Sequence, residues 1–142
     1  MLTENDVVES VKRALEARHW SIVSFSSTAQ TGIDIHASRN GMNLYIEAKG
    51  ITSSKDASSR FGKVQTGSQM FISVAAALLK TSELRTSEPT AAIAIALPDH
   101  PRMSDRINRI AAVLKAAGIG VLWVASDGTV SGWNAPWFVY NA

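Results

Sequence analysis

Asn40-Gly41, set between two alternating runs of apolar and polar residues, constrains this chain more than any other dipeptide in it. A two-residue type I′ turn needs φ > 0 at both central positions, which Asn and Gly tolerate, so the pair predicts a tight β-hairpin. With Asn40 and Gly41 as the turn, facing positions have numbers summing to 81: His36 faces Tyr45, Asp34 faces Glu47, and Gly32 faces Lys49. Side chains alternate between faces along a strand. One face then carries Ile33, Ile35, Ala37, Leu44, Ile46 and Ala48, and the other carries Gly32, Asp34, His36, Asn43, Tyr45, Glu47 and Lys49. A slip of one residue would exchange the two faces wholesale, so their separation into an apolar and a polar set supports this register.

The polar face carries chemistry. Two carboxylates directly opposite each other repel, with Cβ atoms about 5 Å apart. Hard divalent cations use such pairs as oxygen ligands, and Mg²⁺ takes one or two carboxylates together with water and phosphate oxygens. Lys49, two residues beyond Glu47, projects from the same face, where it can hold a phosphate or an attacking water. That is the set of groups metal-assisted phosphodiester hydrolysis requires. The plainer alternative is a solvated salt-bridge cluster on a wet sheet face. The continuous apolar face on the other side of the hairpin favours the metal site.

The first helix is expected from a capping box, in which Thr3 caps and Asp6 stands three residues on, followed by Val7 or Val8, then Val11, Leu15 and Ala14 at helical spacing up to about His19. Trp20 to Phe25 is dense in β-branched and aromatic residues and predicts a strand. After Lys49-Gly50, a polar stretch from Ile51 to Gly67 carries Lys55, Arg60 and Lys63 and is expected to be a flexible loop. Loops of this length in compact domains are usually functional or disordered, and these cations are candidates for phosphate-backbone contacts, or else ordinary surface charge.

A second helix is predicted from about Gly67 to Ser82, with Phe71, Val74, Ala75 and Leu78 as its buried stripe. Thr90 to Leu97, closed by Pro98, reads as a strand buried on both faces of a mixed or parallel sheet. Met103, Ile107, Ile110, Leu114 and Ala117 predict a further helix ended by Gly118. Ile119 to Val124 is then a strand that turns at Asp127-Gly128 into a second hairpin reaching Trp133. Trp133, Pro136, Trp137 and Phe138 are read as closing the core, with a dimer contact or a base-stacking platform as alternatives. His36 either touches substrate from the polar face or is a half-buried sheet residue.

These elements make one domain over residues 1–142, and 46% apolar with 18% charged residues is the balance of a folded globular chain. The absence of cysteine excludes disulfides and thiolate metal sites. Glu4 and Asp6 near the start argue against a signal peptide, and no apolar run reaches membrane-spanning length, so a cytoplasmic location is expected. A net charge of +2 permits a nucleic-acid partner without demanding one. Glycine-rich phosphate loops, zinc-ligand spacings and nucleophile elbows do not occur.

Asp34, followed by Glu47-Ala48-Lys49 at the end of the next strand, resembles the PD-(D/E)XK motif of the restriction-endonuclease-like fold. Gly32-Ile33-Asp34-Ile35 stands where that family often has a Pro-Asp or Gly-x-Asp strand, and Phe61-Gly62-Lys63 with Ser68-Gln69 is similar to segments of some small nuclease-like proteins. The order α-β-β-β-α-β, over roughly Val7 to Leu97, resembles the common core of that fold, here continued by α-β and a terminal hairpin. The small size is similar to that of Holliday-junction resolvases and simple endonucleases.

The resemblance implies an α/β fold with a central mixed β-sheet flanked by helices, and a metal-dependent endonuclease acting on DNA, working as a homodimer. It implies Mg²⁺, with Mn²⁺ substituting, held by Asp34, Glu47 and the Ala48 carbonyl, with Glu9 (or Glu16) joining through water. Lys49 would position or activate the nucleophile, and Gln69 (or Gln65) would stand near the carboxylates. From a different functional class, the same chain reads as a non-catalytic nucleic-acid-binding or assembly module, or as a nuclease subunit inert without its partner.

Overall fold

The computed structural model describes residues 1–25, 32–52 and 66–139. Helix α1 (Glu4–Glu16) starts at the predicted capping box: Thr3 Oγ1 accepts from the Asp6 amide at 3.1 Å and Asp6 Oδ2 accepts from the Thr3 amide at 2.9 Å. Strands β1 (Ser21–Phe25), β2 (Ile35–Arg39) and β3 (Met42–Ala48) follow, then α2 (Gly67–Ser87) and β4 (Ala92–Pro98). Helices α3 (Pro101–Asn108) and α4 (Ala111–Ala117) lead to β5 (Ile119–Val124), β6 (Val130–Trp133) and a 3₁₀ turn at Pro136–Phe138.

The six strands form one sheet in chain order. β1, β2 and β3 run antiparallel, β3–β4–β5 are parallel, and β6 returns antiparallel on β5. This mixed sheet with helices on both faces is the α/β architecture expected from the sequence, and it is consistent with the restriction-endonuclease-like fold. The β2–β3 pairing has the predicted register, with Ile35 on Ile46, His36 on Tyr45 and Arg39 on Met42. Asn40 has φ 50° and Gly41 has φ 80°, the two positive angles that a type I′ turn requires.

Strand β4 shows how one sequence serves two helix layers. Ala92, Ala94 and Ala96 face α1, packing with Val7, Val11 and Leu15, where small side chains let the helix lie close to the sheet. Ile93, Ile95 and Leu97 point the other way, against Met70, Val74 and Ala77 of α2, Met103 and Ile107 of α3, and Leu114 of α4. Gly50, just after β3, allows a second close approach. A Cβ there would lie 2.4 Å from the Glu4 amide nitrogen and 2.6 Å from the Thr3 carbonyl carbon. The chain end of β3 therefore lies directly against the start of α1, where Thr3 bridges Thr52 and the Ile51 amide donates to the Leu2 carbonyl at 3.0 Å.

Three expectations change. The buried stripe of α2 is Met70, Val74, Ala77 and Thr81, so the helix is rotated from the predicted face, and Phe71 is half exposed under the Arg106 guanidinium. Apolar residues occupy both sides of α2, so periodicity alone left the choice of face undetermined. The single helix expected after Pro98 is two short ones, because Ile110 leaves helical geometry at φ −118° and ψ 12°, while Met103, Ile107 and Leu114 still reach the core. Ile51, expected to begin a polar loop, is buried with the α2 cluster. The carboxy-terminal aromatics close the core, with Phe138 buried and Trp137 edge-on to Trp20 at 6.1 Å.

Candidate functional site: a buried carboxylate pair under two lysines

Asp34 directly precedes β2 and Glu47 is the penultimate residue of β3, so the hairpin register brings them together. Both are nearly fully buried, each 4% exposed, because α2 covers this side of β3. A solvated cluster on a wet face is thereby ruled out. Asp34 Oδ2 accepts a hydrogen bond from the Ala48 amide at 2.8 Å, which fixes one carboxylate to the neighbouring strand. The Glu47 carboxyl, when protonated, donates to Asp34. Burial, followed by that hydrogen bond, pushes the Glu47 pKa up to about 7, against the opposing pull of Lys80. The cation-free pair thus holds a proton near neutrality.

Two ammonium groups approach from different elements. Lys49 Nζ stands 4.0 Å from Glu47 Oε1, and Lys80 Nζ stands 2.8 Å from Glu47 Oε2. Lys80 also donates to the Gly32 carbonyl, so it touches both segments that carry the acids. Gly32 has φ 115°, a conformation that glycine alone adopts readily on the way into β2. Glu4, in the first turn of α1, completes the cluster electrostatically. Its pKa is raised by burial and then by the charge of Asp34, and is lowered by Lys49 and Lys80.

The structure thus gathers Asp34, Glu47, Ala48 and Lys49 as the sequence indicates. Glu9 is not among them. It lies on the exposed side of α1, and the helix-one glutamate facing the cluster is Glu4. Glu16 is likewise exposed. Gln69 is occupied elsewhere. Its Oε1 accepts from the Thr66 amide at 2.8 Å in the capping box of α2, about 16 Å along the helix from Lys80. Lys55, Arg60, Lys63 and Gln65 lie outside the described residues. His36 is a sheet residue, stacked on Tyr45 at 4.6 Å and within 3.0 Å of Asn43 Oδ1.

Sequence reasoning missed Lys80 and Glu4. Lys80 is the first charged residue in α2 after thirteen uncharged ones, which marks it as the point where the helix meets charge. Glu4 gives no signal of its own, since an acid in a first helical turn is ordinary capping chemistry. Among the described residues, no three acidic or histidine side chains gather closely enough to hold a metal by themselves. A cavity of about 710 Å³, bordered by Arg39, Met42 and Trp137, lies at the turn end of the hairpin, away from the acids. Arg39 there serves structure, donating to the Arg18 carbonyl at 3.1 Å and the Trp137 carbonyl at 2.8 Å.

No protein-family model and no curated protein matches this sequence. Solved structures do match its fold. An XisH family protein from Nostoc punctiforme superimposes with a TM-score of 0.58 at 17% identity, over 90% of this chain and 98% of that one. An fdxN element excision controlling factor protein from Anabaena variabilis gives 0.50 at 21% identity, over 91% and 98%. At such identities the likeness is one of fold.

Proposed function

We propose that this protein is a divalent-cation-dependent nuclease of the PD-(D/E)XK type that hydrolyses DNA phosphodiesters. The observation that carries this reading is the buried Asp34–Glu47 pair, with Lys49 beside it, at the end of β3 in a sheet of this topology. Two hard oxygen donors, held together against their own repulsion, fit Mg²⁺ or Mn²⁺. Asp34 and Glu47 would hold the cation, with the Ala48 carbonyl the next oxygen along the strand and Glu4 joining through water. When bound, the cation supplies Lewis acidity and an acidified water.

The chain's own residues do the rest. Asp34 is oriented by the Ala48 amide, so one carboxylate is aimed before substrate arrives. Glu47 must lose its proton to bind a cation, which ties function to pH near and above neutrality. Lys49, partly exposed at the rim and 4.0 Å from Glu47, would contact the scissile phosphate or orient the attacking water. The test is cleavage of linear and branched DNA with and without Mg²⁺ or Mn²⁺, comparing the wild type with Glu47→Ala. Cleavage that needs both the cation and Glu47 supports the reading. Cation binding and cleavage that ignore Glu47 would sink it.

A second reading rests on the same cluster, in which a lysine rather than a third carboxylate closes the site. On this reading the protein is a controlling factor in excision of a DNA element, the role that the Anabaena protein's name gives it, and is inert without a partner. It predicts Glu47-dependent cation binding with no cleavage by the protein alone.

A second copy of the chain is the partner we propose, docking on the outer face of α2. Ile72, Ala76, Leu79 and Glu83 recur there at coiled-coil spacing, with Ile72 and Leu79 each 64% exposed. Antiparallel pairing about Ala76 sets Ile72 against Leu79 of the second copy. Arg106, which lies over Phe71 beside this face, and the exposed Glu83 supply opposite charges for such a pairing.

A further inference from the structure

Glu47 is met by two lysines, and the closer one is not the lysine of the motif. Lys80 Nζ is 2.8 Å from Oε2, whereas Lys49 Nζ is 4.0 Å from Oε1. The Lys80 ammonium also donates to the Gly32 carbonyl, so it spans the chain leading into β2 and the end of β3. Its side chain is 37% exposed while that of Glu47 is 5% exposed, so a surface lysine reaches inwards to a buried acid. We infer that Lys80 is a tethered counter-ion that occupies Glu47 when no divalent cation is bound and, by competing for Oε2, sets how tightly the carboxylate pair binds one. The inference rests on reading Asp34 and Glu47 as cation ligands.

The physical case is one of exclusion. A buried carboxylate needs positive charge beside it, and an ammonium supplies one charge on a flexible four-carbon stem. A divalent cation takes the carboxylate oxygens directly and repels an ammonium at contact distance. Both cannot occupy Oε2. The half-exposed stem of Lys80 gives the ammonium room to withdraw, and the Gly32 carbonyl keeps it at the edge of the site. The helix need not move, because the flexible four-carbon stem alone can carry the ammonium away while Thr81 beside it stays buried.

The experiment is calorimetric titration of Mn²⁺ into the full chain at alkaline pH, for the wild type, Lys80→Met and Lys49→Met. Lys80→Met is expected to bind Mn²⁺ about tenfold tighter or more, and Lys49→Met to change by less than about threefold. Unchanged or weaker binding by Lys80→Met, or an equal gain in Lys49→Met, overturns the inference while leaving the cation site standing. No Mn²⁺ binding by any of the three would remove both the site and the inference. A second measurement keeps the wild-type sequence: nuclear magnetic resonance of the lysine ammonium groups during Mg²⁺ titration. The Lys80 signal should move as Glu47 fills, and a Lys80 signal that stays fixed while Mg²⁺ binds overturns the inference.

Discussion

Lys80 and Glu47 stand 33 residues apart in the chain, and their charged atoms are 2.8 Å apart. Lys49, only two residues from Glu47, is the more distant of the two lysines. The balance of charge in this site is therefore set by how α2 crosses the sheet, not by the strand motif alone. A carboxylate pair this buried is held together by the fold against its own repulsion, which makes its protonation and its variants measurable through stability.

The first expectation concerns pH. Glu47 has a pKa raised to about 7 in the folded protein from the ordinary 4.5, so the native state holds more protons than the unfolded chain between those values. The stability that Glu47 contributes is full at low pH and is lost as pH rises through this window, by up to about 3 kcal/mol, with Glu4 adding in the same direction. Asp34, Lys80 and Lys49 are the groups that face it. With millimolar Mg²⁺ the slope should reverse, since the cation binds the deprotonated pair. Thermal midpoints from about pH 5 to 9, with and without Mg²⁺, check this, and Glu47→Gln should flatten both curves.

Asp34→Ala and Asp34→Asn should differ in stability but not in activity. Both remove a cation ligand and should lower any cleavage by at least about 10²-fold. Asp34→Ala would relieve the repulsion between the acids, yet it also strips the buried Ala48 amide of its acceptor, which costs about 1–3 kcal/mol. The asparagine retains a side-chain oxygen for that amide and should stay closer to wild type. Denaturant unfolding of the two variants separates the effects.

Gly50→Ala should be far more damaging than a surface glycine substitution. The added Cβ meets main-chain atoms of Thr3 and Glu4, not a side chain that can swing away. Either β3 or the start of α1 must shift, at about 3 kcal/mol or more, and Glu4 would leave the acids. A fall in the unfolding midpoint together with weaker Mn²⁺ binding is the expected pair of results. Loss of stability with unchanged binding would show that Glu4 plays no part in the site.

Leu79→Glu should dissociate the proposed dimer and leave the fold intact, because Leu79 is 64% exposed on the outside of α2. It places a carboxylate where Ile72 of the second copy would pack. Sedimentation velocity should show the wild type associating and the variant monomeric, with unfolding free energies within about 0.5 kcal/mol of each other at concentrations low enough to keep both monomeric. A wild type that remains monomeric at high concentration would dismiss this surface.

The hairpin was fully legible in the sequence because its information is local. Asn40-Gly41 specifies the turn, the turn specifies the register, and the register alone brings Asp34 to Glu47. The capping box at Thr3, the doubly buried apolar run of β4 and the left-handed Gly118 after α4 were legible for the same reason. What needed the tertiary structure were the side chains whose positions depend on the packing of whole elements. The face of α2 was ambiguous because both sides are apolar, and only its contact with Ile93 and Ile95 turns Val74 and Ala77 inwards and sets Lys80 over Glu47. Glu4 rather than Glu9 meets the acids because Gly50 lets the start of α1 touch the end of β3, a contact between segments 46 residues apart. Turn geometry and strand alternation are properties of neighbouring residues. The angle at which a helix lies on a sheet is a property of both, and it decides which charges share a buried space.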